Sequence, residues 1–141
     1  MTLFQALIKN QRPIIWVTVG LVIGIGIASR AVPIGSIWWD KYLGDVLYTV
    51  LFYLLVIIIW PNSTRTQRFV TTCIGMILIE LFQLTGISMA LRHSGNLLLK
   101  IISITLGTTF SWYDLIAYGV GVLIIWLIDY YGFSRSPSAL S

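Results

Sequence analysis

Residues 69–88 read FVTTCIGMILIELFQLTGIS. At about 20 residues the stretch is long enough for a helix to cross the hydrocarbon of a bilayer. It carries one carboxylate, Glu80, and an amide, Gln83, three residues further on. That spacing puts both on one helix face. A charge well inside a span costs roughly 2.5 to 3.5 kcal/mol on insertion scales. A helical path from Phe69 reaches Glu80 after about 16 Å, close to the middle of a core about 30 Å thick. Glu80 must therefore face other helices, find a counter-charge or carry a proton. The stretch implies a bundle in lipid with a polar face turned inward.

Three more apolar runs stand beside it: residues 13–29, residues 43–60 stopped by Pro61-Asn62-Ser63, and residues 112–131. Each has about 17 to 20 residues, and helices are the default spanning form because they satisfy their own backbone. Alternation of period two is absent, which argues against a barrel. The expectation is a single all-α domain over residues 1–141, a polytopic bundle of about four transmembrane helices. Composition agrees. The chain has 141 residues, 57% hydrophobic and 10% charged, and a mean hydropathy of +0.90. A soluble domain carries about 25% charged residues. The net charge of +4 does not point to nucleic acid, because the basic residues come singly or in pairs between apolar runs, as membrane flanks do. Membrane lipids are the expected partners.

The connector, residues 89–111, contains LLLKIISITLG, too short for an ordinary span. It reads as a re-entrant or interfacial helix between the third and fourth spans, with a fifth crossing as the alternative. The first run, after Lys9 and Arg12, has some look of a secretory signal but reads as an uncleaved helix. Its Gly20 and Gly24 are spaced for close helix packing, or are simply the glycines common in membrane helices. The tail, residues 132–141, is polar. Lys9, Arg12, Arg65 and Arg68 fall on one side of a four-span topology, which favours both termini in the cytoplasm.

No Gly-x-Ser-x-Gly, His-Glu-x-x-His or phosphate-binding glycine loop is present. Cys73 is the single cysteine and His93 the single histidine, so no cofactor and no metal site is expected. The charged residues in and beside the spans gather in one half of the bilayer, Asp129 alone lying at the other end of its helix. Arg30 ends the first helix, Asp45 begins the second, Glu80 and Gln83 lie in the second half of the third, Arg92 follows it, and Asp114 begins the fourth. Asp114, Tyr118 and Gly121 share a face by the helical period, as do Asp45, Tyr48 and Thr49. Each has a plainer reading: Asp114 as a capping box with Ser111, Asp45 as an acid in a first turn, Arg30 as a snorkelling side chain, Asp40 and Lys41 as solvated charges. Glu80 has no such reading at that depth. Arg92, ahead of Arg30, is its expected counter-charge.

At these residues the chain resembles a family of small bacterial integral-membrane proteins called domain of unknown function 2809. The likeness rests on Ser29-Arg30, KYLGDVLYTVLFY (residues 41–53), IELFQL (79–84), Arg92 and LGTTFSWYDLIAYGVG (106–121). More distantly the arrangement is similar to the VanZ-like proteins linked to teicoplanin resistance. The resemblance implies a multi-pass protein of the bacterial cytoplasmic (inner) membrane and implies no reaction. Glu80, Gln83, Asp45, Asp114, Arg92, Arg30 and Tyr118 are thus the candidate lining of a polar pocket open to the outer side. It would suit a lipid-linked or cell-envelope head group or a cation. The competing readings are an accessory subunit of a membrane-protein complex, or a homo-oligomer, and a membrane enzyme acting on a lipid-type substrate.

Overall fold

The computed structural model describes residues 3–106 and 109–132, and among them every regular element is helical. The tail beyond Gly132 lies outside the described residues. So do the side chains of residues 3–12 and of Arg30.

The first helix, α1 (Leu3–Ala31), starts about ten residues before the expected boundary, with Pro13 inside it. Proline's fixed φ is helical, and its main local loss is the bond that its missing N–H would have made. After α1 the chain turns at Gly35, whose φ of +78° suits glycine. Asp40 holds this turn, accepting from the backbone N–H groups of Ile34 at 3.0 Å and Gly35 at 3.1 Å. It is therefore more than the solvated charge expected. A π-helical turn, Trp38–Tyr42, leads without a break into α2 (Leu43–Ile59).

Helix α3 (Arg65–Leu84) opens on a capping box. The Thr64 hydroxyl accepts from the Gln67 N–H at 3.2 Å, and the Gln67 amide oxygen accepts from the Thr64 N–H at 2.8 Å. The Thr-x-x-Gln signature stands in the sequence and moves the start four residues ahead of Phe69. The helix ends at Thr85, before Gly86 at φ +72°. Glu80 consequently sits about 22 Å from the start of α3 and about 6 Å from its end, at 1.5 Å per residue. It lies one turn below the helix end rather than at mid-span.

The connector forms two short helices, α4 (Ile87–Arg92) and α5 (Leu97–Leu106), folded against each other. The Ser103 hydroxyl donates to the Ser88 carbonyl at 2.6 Å to fasten them. Helix α5 is about 15 Å long, half of a hydrocarbon core. Where the sequence suggests a single re-entrant or interfacial helix, the connector forms two, and neither is long enough to cross a membrane. The last helix is α6 (Trp112–Gly132).

Three stretches are long and apolar enough to cross a membrane: Trp38–Ile59, Arg65–Leu84 and Trp112–Tyr131. Residues Pro13–Ser29 of α1 form a shorter apolar helix. Helix α2 is central, packed on α1, α3 and α6. Val19 and Val22 of α1, Val50, Tyr53, Leu54 and Ile57 of α2, and Val122 and Ile125 of α6 form the core. The outer faces carry exposed Ile74, Leu78 and Leu81 on α3 and Ile116, Leu123 and Ile124 on α6. Such a surface suits lipid rather than water. Helices α2 and α6 meet closely at Gly121, where an added Cβ would lie 2.7 Å from the Val46 carbonyl oxygen. The glycines expected to pack, Gly20 and Gly24, have nothing within 4 Å of such a Cβ.

Candidate functional site

Two polar clusters occupy opposite ends of the bundle. At the first, Lys41 in the π-helical turn that leads into α2 meets Asp114 at the start of α6, with Nζ to Oδ1 at 3.2 Å. The contact fixes the two helices as parallel. It also corrects the view of Lys41 as a merely solvated charge and of Asp114 as a simple cap. Lys41 remains half exposed, so the pair itself contributes little stability.

Glu80 lies beneath this pair and is 1% exposed. The Gln83 amide approaches its Oε1 at 3.4 Å, and the Tyr118 hydroxyl and Ser111 backbone N–H are turned to the same carboxyl group. Its Oε2 is buried and makes no well-formed hydrogen bond among the described residues. The expected ion pair with Arg92 is not formed. Arg92 ends α4 and is exposed, because Gly86 breaks the chain and carries it onto the separate hairpin. Among the described residues the charges that act on Glu80 are those of Asp114 and Lys41. The pairing with Arg30 lies outside the described residues.

Gln83 tethers the hairpin: its Nε2 donates to the Leu106 carbonyl at 2.7 Å, at the end of α5. Between the hairpin, α1, α2 and α6 lies a cavity of about 740 Å³. Five of the expected site residues line it: Asp45, Gln83, Arg92, Asp114 and Tyr118. Glu80 is not part of this lining and stands behind Gln83 and Tyr118. Apolar side chains line it too, with Val22 and Ile27 from α1, Leu47 and Leu51 from α2 and Ile104 from α5. The lining is therefore mixed, its polar residues drawn from the π-helical turn, α2, α3, α4 and α6 and its apolar ones from α1, α2 and α5. Among the described residues no three His, Cys, Asp or Glu side chains are grouped to hold a metal ion.

The second cluster was not foreseen. Arg68 Nη1 lies 3.1 Å from Asp129 Oδ2, and the Tyr53 hydroxyl donates to the same oxygen at 2.6 Å. Arg68 also donates to the Ser63 hydroxyl at 3.0 Å and to the Pro61 carbonyl at 3.4 Å. Asp129 is 1% exposed. In sequence Arg68 reads as a loop-end cation and Asp129 as an acid near a helix end. The available signal is topological: the first turn of α3 and the last turns of α6 share a level when the two helices run antiparallel.

The class defined by these features is an all-helical membrane protein with a cavity of mixed polar and apolar lining at one end of its bundle. The chain belongs to the family described as Protein of unknown function (DUF2809), whose model matches residues 34–122. That span covers Asp45, Glu80, Gln83, Arg92, Asp114 and Tyr118. No curated protein and no solved structure matches the chain.

Proposed function

We propose that the protein binds a membrane amphiphile, holding its polar head in the cavity at the Glu80 end and its apolar chain along α1 and α5. The observation that carries this reading is the mixed lining of the cavity. Asp45, Gln83, Asp114 and Tyr118, from α2, α3 and α6, line it together with Val22, Ile27, Leu51 and Ile104, from α1, α2 and α5. A soluble polar solute would leave that apolar lining wet, and a plain hydrocarbon would leave buried acceptors without donors. An amphiphile satisfies both.

In this reading the chain crosses the bacterial cytoplasmic membrane four times, α1 being the fourth span. Both termini and the Asp129 end face the cytoplasm, and the cavity opens outward. Lys9, Arg12 and Arg65 support that orientation. The runner-up is an accessory subunit of a membrane complex, favoured by the uncovered Gly20 and Gly24 of α1. Mass spectrometry of the protein purified in mild detergent separates the two. The amphiphile reading expects a retained lipid-type molecule that is lost on Asp114→Asn while the protein still folds. A well-folded protein that retains no amphiphile under any mild extraction overturns it.

A further inference from the structure

The cavity's charges and its unmatched acceptor narrow what its head group must be. Among the charged residues lining it, Asp45 and Asp114 balance Lys41 and Arg92. A formally neutral lining disfavours a net anion and a net cation alike, because either would be buried against an uncompensated field. The charges are also sorted in space. At the α2 and α6 end the two acids outnumber the one cation, Lys41, which pairs with Asp114, while Arg92 comes from α4 in the hairpin. A zwitterion is the head group that matches separated, opposite charges.

Gln83 sets the next condition. The side chain is buried, 6% exposed, and lines the cavity. Its Nε2 is engaged by the Leu106 carbonyl at 2.7 Å and by Glu80 Oε1 at 3.4 Å. Both of those partners are acceptors, so the amide cannot be flipped without setting oxygen against oxygen. Its Oε1 is therefore the free end, buried and without a hydrogen-bond partner among the described residues. A buried acceptor needs a donor. A metal ion does not fill the role, since no three acidic or imidazole groups converge among the described residues. A quaternary ammonium carries charge but no N–H. A primary ammonium supplies both.

Resting on the amphiphile reading above, we infer that the head group is of the phosphoethanolamine type, with its ammonium donating to Gln83 Oε1 beside Asp114 and its phosphate facing Arg92. The guanidinium suits phosphate oxygens through its fork of donors. The chains of the amphiphile lie along Val22, Ile27, Leu51 and Ile104. Lys41 stays with Asp114, so the ammonium adds to an existing pair and does not replace it.

The test uses the full chain in nanodiscs that hold equal amounts of phosphatidylethanolamine, its mono- and dimethylated forms, phosphatidylcholine and phosphatidylglycerol. Native mass spectrometry then reads which lipid stays bound on release. The expected result is a decline with each added methyl, reaching roughly tenfold between the primary ammonium and the quaternary one, about the worth of one charge-assisted hydrogen bond. Gln83→Leu should flatten that preference among the lipid still retained, and Arg92→Ala should lower all five phospholipids together. The methylation series is read on the unaltered protein, so it stands even if Gln83→Leu does not fold. Equal retention of choline and ethanolamine lipids, or a preference for phosphatidylglycerol, overturns this inference and leaves the amphiphile reading in place. Retention of no lipid overturns both. Soluble glycerophosphoethanolamine in excess should fail to displace the lipid, because it lacks the chains. Displacement by it would overturn the lipid as the ligand's source and make the free head group the ligand.

Discussion

Replacing Asp129 with alanine removes the carboxylate that faces Arg68 at 3.1 Å and Tyr53 at 2.6 Å. Both charged side chains are largely out of solvent, at 11% and 2% exposure. Breaking such a pair from one side strands the other charge, which typically costs about 3 to 5 kcal/mol. Tyr53→Phe removes only the hydroxyl donor and should cost less, about 1.5 to 3 kcal/mol. With roughly 3 °C per kcal/mol for a domain of this size, Asp129→Ala should lower Tm by about 9 to 15 °C. Arg68→Leu should cost at least as much, because the Ser63 and Pro61 contacts go with it. The double variant should be far less damaged than the sum of the two, with a coupling of at least about 1.5 kcal/mol. Thermal unfolding in one detergent, followed by intrinsic tryptophan fluorescence, measures all four corners of the cycle. Losses that add within about 0.5 kcal/mol would refute the claim that this contact locks α3 to α6.

Gly121→Ala should destabilise by more than the about 1 to 3 kcal/mol usual for overpacking, since the clash is with the Val46 backbone at 2.7 Å, and Gly20→Ala should be near neutral; comparing their melting temperatures checks this. Glu80→Ala should cost about 2 to 3 kcal/mol by opening a void and freeing the Gln83 and Tyr118 donors, while Glu80→Gln, nearly the same size, should cost about 1 kcal/mol or less in the same melts. The Glu80→Ala and Arg92→Ala losses should simply add, because the two side chains form no ion pair; coupling above about 1 kcal/mol would restore the pairing read from sequence. In a Cys73→Ser background, Asn62→Cys should be labelled only from the cytoplasmic side and Asn96→Cys only from outside; labelling of both from one side would contradict the four-span topology.

The fold was largely legible because the bilayer demands long apolar helices, and residues 43–60 and 112–131 fall close to α2 and α6. The start of α3 was missed although its Thr64 and Gln67 capping box is a sequence signal. The face shared by Asp114, Tyr118 and Gly121 was readable from helical period alone, and these residues do look toward α2 and the cavity. Partners were not readable in the same way. Glu80 and Arg92 are near in sequence, yet Gly86 puts the arginine on another element. Arg68 and Asp129 are far apart in sequence, yet antiparallel packing brings them together. Spacing along one helix fixes a face, but which charge meets which depends on where neighbouring helices start and stop.

The central claim is that an amphiphile occupies the cavity at the Glu80 end. A photoreactive phosphatidylethanolamine carrying its reactive group on the acyl chain tests this most directly. It is cross-linked in nanodiscs, and the labelled residues are mapped by mass spectrometry. The account predicts label concentrated on Val22, Ile27, Leu51 and Ile104, reduced by excess unlabelled lipid and by Asp114→Asn. Label spread evenly over Ile74, Leu78, Leu123 and the other outward faces, with the cavity wall unmarked and no competition, would contradict it.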